Sequence, residues 1–328
     1  MRIVINGFGR IGRTVLRQIL SSADTSGIEI VQINDIAPLE TCAYLFKYDS
    51  VFGPYAGTVE AGDNILTIDG QDIRFTAEPD LFRLDLTGVD VVMECTGKAD
   101  TIEVAKRGLI AGAGNVLISG PSAAAEVTLV LGANEEKLGD HRLVSNASCT
   151  TNALAPLLRG IDDALGIETG HMTTVHCYTG SQPMVDAPRG PLERSRAGGV
   201  SMVPTTTSAT KLVGTILPQL HGKISGAAVR VPAISVSAVD VTLTLKSDVT
   251  GSFNVTLQEV FVGSPVIGFT NDRVVSTDMR TRPESCVIAL PETLITGKRQ
   301  VRIFGWYDNE WGFSARMIDM AWLMTARA

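Results

Sequence analysis

One short segment concentrates side chains able to do covalent chemistry: Ser145-Asn146-Ala147-Ser148-Cys149-Thr150-Thr151-Asn152. An apolar stretch ends near Ser145 and a helical pattern begins after it. Ser148 therefore falls where a hydroxyl can accept from a first-turn amide. Cys149 then stands at a helix N-terminus, where the dipole favours the thiolate, the nucleophilic form of sulfur. Its polar flanks argue against a place in an apolar core. Cys42, Cys95, Cys177 and Cys286 lack such surroundings and are read as buried, inert thiols, the usual fate of a cysteine.

A thiol nucleophile needs a base nearby in space. His176 lies in Thr173-Thr174-Val175-His176-Cys177-Tyr178, a strand pattern. Alternation puts Thr174, His176 and Tyr178 on one face and Val175 and Cys177 on the other. The polar face suits a cleft, and a Cys–His pair is an activated nucleophile. His141, His171 and His221 are read as surface or structural.

A second cluster sits at the N-terminus. Gly7-Phe8-Gly9-Arg10-Ile11-Gly12 follows an apolar run and opens an amphipathic pattern, the context a dinucleotide-binding loop needs. Gly7 permits a tight turn, Gly9 lets backbone approach a pyrophosphate, and Gly12 lets helix pack on strand. The helix start adds amide donors for phosphate. Asp35 ends the next strand pattern, where a carboxylate accepts from ribose hydroxyls and repels a 2′-phosphate, so NAD is favoured over NADP. The expected cofactor contacts are Gly7, Phe8, Gly9, Arg10, Ile11, Gly12, Asn34, Asp35 and Ser119.

The elements that must position these residues change in kind along the chain. Strand patterns at 2–6, 28–34, 65–68, 73–75, 89–94, 116–119, 129–132 and 142–145 alternate with helical stretches at 10–20 and 99–111. Asp69-Gly70 marks a turn between two of them. Strand, helix, strand implies a Rossmann-type, doubly wound parallel sheet. After a helix beginning near Cys149, long strand patterns dominate at 171–178, 227–231, 235–246, 273–279, 285–290 and 299–307. These suggest an α+β domain with a mostly antiparallel sheet, covered by helices near 208–220 and 251–262. Residues 179–204 show little periodicity, and a long irregular segment inside a compact domain is usually functional. The expected division is an NAD-binding domain, 1–148, with the C-terminal helix 311–328 returning to it, and a catalytic domain, 149–310.

Composition excludes several classes. The 328 residues are 45% hydrophobic and 19% charged, which is globular. A net charge of −7 gives no electrostatic footprint for nucleic acid. Five scattered cysteines match no disulfide framework or metal pattern and suit a reducing compartment. No apolar run is long enough to span a bilayer and no signal-peptide pattern is present, so the expectation is a cytoplasmic protein with no metal and no membrane contact.

Taken together the motifs resemble the phosphorylating glyceraldehyde-3-phosphate dehydrogenase family. They are Ile5-Asn6-Gly7-Phe8-Gly9-Arg10-Ile11-Gly12-Arg13, Lys47-Tyr48-Asp49-Ser50, Ser148-Cys149-Thr150-Thr151-Asn152, Thr174-Val175-His176, Val229-Arg230-Val231-Pro232 and Trp306-Tyr307-Asp308-Asn309-Glu310-Trp311-Gly312. The resemblance spans nearly the whole chain in order. It implies glycolytic or gluconeogenic oxidation of glyceraldehyde 3-phosphate with NAD and inorganic phosphate, and a homotetramer with 179–204 near a neighbouring subunit's cofactor. It implies Cys149 as nucleophile and His176 as base. Thr179, Arg196 and Arg230 match the substrate-phosphate pocket, with Arg194 a weaker candidate. Ser148, Thr150, Thr207 and Ser208 match the inorganic-phosphate pocket, and Asn309 the contact to the nicotinamide carboxamide. Two departures matter. Ser208 stands where the family has glycine, which keeps open an alternative: an erythrose-4-phosphate dehydrogenase that hydrolyses its thioester. Ala187 replaces the usual leucine before Pro188, which leaves NADP as a secondary cofactor.

Overall fold

A computed structural model describes residues 1–22, 25–188 and 190–326. Arg189, inside the segment 179–204, and Arg327 and Ala328, at the end of the expected C-terminal helix, lie outside the described residues. The chain divides into two compact units. One comprises Met1–Leu129, Glu136–Ala147 and Ser314–Ala328, and the other Val130–Glu135 and Ser148–Phe313.

The first unit is built on a nine-stranded sheet. Its order is Val59–Gly62, Ile65–Ile68, Gln71–Thr76, Glu29–Asn34, Arg2–Asn6, Val91–Glu94, Asn115–Ile118, Leu143–Ser145, Val127–Thr128. The pairings from Gln71–Thr76 onward are parallel, and the first three strands form an antiparallel meander. Ile3, Val4 and Ile5 are fully buried, as a central parallel strand covered on both faces requires. The helix Arg10–Ser21 buries Val15, Leu16 and Ile19 along one stripe. At the turn of the meander, Asp69 and Gly70 have φ of 51° and 79°, the two left-handed residues of a tight hairpin. The register sets Asn6 beside both Asn34 and Glu94, so three polar strand ends meet at the carboxyl edge.

Two expected elements differ here. Residues 99–111 form two short helices, Ile102–Ala105 and Arg107–Ile110, the second drawn tightly onto the sheet because Gly108 abuts Val116 and Val92. Leu129–Gly132 is not a strand. Extended structure ends at Thr128, and Asn134 Oδ1 turns the chain by accepting from the Val130 amide at 2.8 Å.

The second unit carries an eight-stranded, mostly antiparallel sheet. The strand Ile167–Cys177 pairs parallel with Ile224–Val231 and antiparallel with Ser237–Leu245, which pairs with Gln300–Tyr307. The helix Cys149–Leu165 buries Leu154, Leu157, Leu158 and Ile161. Pro156 lies in its interior, so the Asn152 carbonyl loses its helical donor. The expected strand at 273–279 is absent. Asp278 accepts from the Val275 amide at 2.8 Å and winds Ser276–Met279 into a 3-10 turn, which drops Met279 into a cluster with Val236 and Val287. The nearby strand is instead Ile267–Thr270. The helix Trp311–Thr325 starts in this unit and from Ser314 belongs to the first. Among the described residues no helix is long and apolar enough to cross a membrane.

Candidate functional site

Backbone pairing in the second unit places the reactive side chains. Ser148 takes extended dihedrals and accepts from the Thr151 amide at 3.0 Å, capping the helix that begins at Cys149. Just before it, Ala147 has φ 56°, a conformation that costs an alanine about 1–2 kcal/mol. The amide of Ala147 donates to Ser145 Oγ at 3.2 Å, which helps hold that bend. Beside the helix start, the strand Ile167–Cys177 turns its polar face inward, with Thr174 and His176 buried. Cys149 Sγ lies 3.6 Å from His176 Nε2.

Register brings the cation. His176 pairs with Arg230 across the parallel strands, and Arg230 Nη1 lies 2.9 Å from both His176 Nδ1 and the Cys177 carbonyl. Burial, and then the Arg230 charge, pull the imidazole down to about 4, so it is neutral at physiological pH. The thiol moves the other way. Cys149 keeps some exposed surface, but protein encloses its sulfur and burial pushes the thiol up, against the downward pull of Arg230 and the Thr150 hydrogen bonds. Burial at the sulfur thus opposes the thiolate expected from the helix dipole, while Arg230 and the hydrogen bonds at the helix start favour it.

Cys149 and His176 open into a cavity of about 350 Å³. Its lining includes Ser148, Thr150, Thr207, Ser208, Arg194 and Arg230, with no carboxylate. Antiparallel pairing of Val203–Thr205 with the Arg230 strand delivers the hydroxyl-rich loop there. Ser208 has φ −83°, ordinary right-handed backbone, so serine replaces glycine at this place without strain. Thr179 and Arg196 do not line the cavity. Thr179 Oγ1 lies 2.9 Å from Ser181 Oγ, and Arg196 is ion-paired to Asp186 at 2.7 Å. Asn309 is buried in the same unit, its Oδ1 3.1 Å from Cys177 Sγ and 3.3 Å from Ser237 Oγ.

Sequence reasoning missed Tyr307. Its hydroxyl lies 2.8 Å from Thr150 Oγ1 and 2.9 Å from Thr174 Oγ1, with its ring edge-on to His176. Alternation along Gln300–Tyr307, which buries Val301, Ile303, Gly305 and Tyr307, was the available signal. Asp308, next along, accepts from the Trp311, Glu310 and Thr281 amides and starts the C-terminal helix.

In the first unit, Gly7, Gly9, Asn34 and Asp35 line a separate cavity of about 370 Å³, along with Asn6 and Glu94. A Cβ on Gly9 would meet nothing within 4 Å, which leaves room for a phosphate against the backbone. Gly7 has φ 94° and a Cβ there would lie 2.6 Å from the Cys95 backbone. Asp35 accepts from the Phe8 and Ala37 amides at 2.6 and 2.8 Å, which orients its carboxylate. Gly9 and Asp35 thus suit the phosphate and ribose of a dinucleotide. The other expected contacts lie off the cavity lining. Phe8 is buried against Phe46, Arg10 pairs with Asp49, Ile11 and Gly12 lie in the helix, and Ser119 donates its amide to the Glu94 carbonyl at 2.9 Å.

A cradle of dinucleotide type in one unit and a thiol–imidazole pair at a cavity lined by arginines and hydroxyls in the other are the parts of one class of protein, the dinucleotide-linked dehydrogenases. Residues 1–102 match the model for the NAD binding domain of glyceraldehyde 3-phosphate dehydrogenase, and residues 148–309 that for its C-terminal domain. The chain belongs to the glyceraldehyde-3-phosphate dehydrogenase family, whose members are NAD-binding oxidoreductases. It is 44% identical to the glyceraldehyde-3-phosphate dehydrogenase of Xanthobacter flavus, over 98% of this chain and 97% of that protein. It is 45% identical to the one from Cereibacter sphaeroides, over 98% and 97%, and 40% identical to glyceraldehyde-3-phosphate dehydrogenase 2 of Bacillus subtilis, over 100% and 97%.

Proposed function

We propose that this chain oxidises glyceraldehyde 3-phosphate and passes the acyl group to inorganic phosphate through a thioester on Cys149. The observation that carries this reading is the cavity at Cys149 and His176, which offers two arginines and several hydroxyls with no carboxylate. Neutral His176 takes the thiol proton through Nε2 as sulfur adds to the aldehyde carbon. The proton passes to the former carbonyl oxygen, giving a hemithioacetal. His176, neutral again, removes the hydroxyl proton in the oxidation step. NAD, when bound, would supply the hydride acceptor; Gly7, Gly9, Asn34 and Asp35 would hold it, and the family resemblance assigns Asn309 to its carboxamide. Phosphate then attacks the thioester carbon, and the Cys149 sulfur leaves as thiolate and regains its proton. Arg230 holds the substrate phosphate, while Ser148, Thr150, Thr207 and Ser208 receive the attacking one.

Ser208 sits unstrained in the cavity lining beside Thr207, so the substitution leaves a hydroxyl-rich loop there, which supports phosphate as the acyl acceptor. Met184, Val185, Leu192, Val200 and Met202 stand exposed within 179–204, which supports a homotetramer buried through that segment. The test follows NADH formation from glyceraldehyde 3-phosphate while phosphate is titrated. A steady rate that saturates with phosphate is expected. A single-turnover burst followed by a slow, phosphate-independent rate would reject phosphate as acceptor and leave hydrolysis.

A further inference from the structure

Four adjacent parallel strands of the first unit end in polar residues that form one row. Glu94 is in register with Asn6, Asn6 with Asn34, and Asn34 with Thr76. The first three are buried and line the cavity that Gly7, Gly9 and Asp35 share. The row crosses the place where the sheet changes direction. From Arg2–Asn6 the chain passes to Glu29–Asn34 on one side and later to Val91–Glu94 on the other, and open parallel sheets take their ligands at such a crevice.

Hydrogen bonds run along the row with a single polarity. At one end Glu94 accepts from the Thr96 amide at 3.0 Å and from the Thr96 hydroxyl, and its other oxygen accepts from Asn6 Nδ2. Asn34 Nδ2 donates to Asn6 Oδ1 at 2.8 Å and to the Glu78 carbonyl at 2.9 Å. Asn34 Oδ1 accepts from the Thr76 hydroxyl at 2.7 Å and from the Glu78 amide at 2.9 Å. Both donors and both acceptor sites of Asn34 are therefore used within the protein. Glu78, Pro79 and Leu81 form the adjoining wall of the cavity.

We propose that Glu94 is a positioning residue for the cofactor: acting through Asn6 and Asn34, it fixes the Glu78 wall of the dinucleotide cavity. This rests on the dinucleotide reading of that cavity. The Glu78 amide can only donate and its carbonyl can only accept, so the Asn34 side chain has one orientation. Its remaining hydrogen demands an oxygen from Asn6, which turns the Asn6 NH2 group toward Glu94. Only a side chain that accepts there, and also accepts from the Thr96 amide, completes the row. A glutamine in its place would set donor against donor at one link, whichever way each amide turned, and a buried polar group without its partner is costly. Asn34 thus serves the cofactor through the wall it holds, since it has no bond left to give.

The experiment titrates NAD into the cofactor-free protein by calorimetry and reads the melting temperature alongside. Wild type is compared with Glu94→Gln, with the exchange Glu94→Gln/Asn6→Asp, and with Thr76→Val. Glu94→Gln should weaken NAD binding at least about tenfold. In the exchange, a carboxylate in place of Asn6 accepts from the new amide and from Asn34, so every link again joins donor to acceptor. Its affinity should return to within about threefold of wild type. Thr76→Val removes a donor to Asn34 at the far end and should weaken NAD by about threefold or more, which carries the test if Glu94→Gln does not fold. A lowered melting temperature in Glu94→Gln or Thr76→Val with NAD affinity unchanged overturns the inference, because the row would then serve folding alone. So does an exchange variant that melts like wild type but binds NAD as poorly as Glu94→Gln, since Asn6 would then act on the cofactor directly. Wild type that binds no NAD fails the dinucleotide reading itself, a result visible before any variant is made.

Discussion

The Tyr307 hydroxyl lies 2.8 Å from Thr150 Oγ1, tying the strand Gln300–Tyr307 to the first turn of the helix that begins at Cys149. The same oxygen reaches Thr174 on the His176 strand. Both threonines are buried, with 5% and 1% of their surface exposed. Tyr307→Phe should therefore leave two hydroxyls without their partner and cost roughly 2 kcal/mol. Urea unfolding measures this directly. A loss below about 0.5 kcal/mol, the size of a neutral surface change, would mean that the phenol is no strut.

His176 links the site to pH. Its pKa is about 4 in the folded chain and about 6.5 when unfolded. Above pH 6.5 the imidazole is neutral in both states and the folded state bears no penalty. Between about 6.5 and 4 the unfolded chain binds a proton that the folded chain refuses, so stability falls as pH falls. The full difference is on the order of 3 kcal/mol. His176→Asn should flatten this part of the stability curve. Parallel wild-type and variant curves from pH 7 to 4 would show that the burial penalty has been misassigned.

Much of this was legible in the sequence, for reasons that differ by residue. Ile3, Val4 and Ile5 announce a buried parallel strand because no polar residue interrupts them. Asp69-Gly70 announces its turn because few other pairs accept two positive φ angles. The pairing of Cys149 with His176 was readable from helix-start and strand-face logic. The state of the sulfur was not, because dipole and desolvation act in opposite directions and only packing decides between them. The split between Arg194 and Arg196 was equally hidden. It depends on Asp186 lying close enough to hold one of them, a loop geometry without periodicity. The 3-10 turn at Ser276–Met279 was lost to an apolar pair, Val274-Val275, that reads as a strand until Asp278 caps it.

The five thiols should separate cleanly under alkylation. Burial pushes Cys42 up to about 11 and Cys95, Cys177 and Cys286 to about 12, so all four hold their protons at pH 8. Cys149 is also pushed up, but it alone has an imidazole nitrogen 3.6 Å away to take its proton. Iodoacetamide at pH 8, followed by peptide mass analysis, should label Cys149 at least about tenfold faster than any other. His176→Asn should remove most of that advantage. Faster labelling of Cys95 would sink the assignment of a specially activated thiol.

The glycines of the N-terminal loop offer a separation of folding from binding. A Cβ on Gly12 would sit 2.3 Å from the Gly7 carbonyl oxygen, where helix and turn meet. Backbone on both sides cannot yield cheaply, so Gly12→Ala should lower the melting temperature by several degrees, as overpacking of about 1–3 kcal/mol does. Gly9 is the opposite case: its Cβ would meet nothing within 4 Å, and its φ of −73° suits alanine. Gly9→Ala should melt with the wild type. The added methyl would instead occupy the space through which a pyrophosphate reaches the helix-start amides, and NAD affinity should fall at least about tenfold, or 1.4 kcal/mol. Fluorescence titration with NAD and thermal melts on both variants decide the matter. If Gly9→Ala binds NAD as tightly as wild type, the phosphates lie elsewhere in the cavity, and Asp35 alone would not suffice to place the cofactor there.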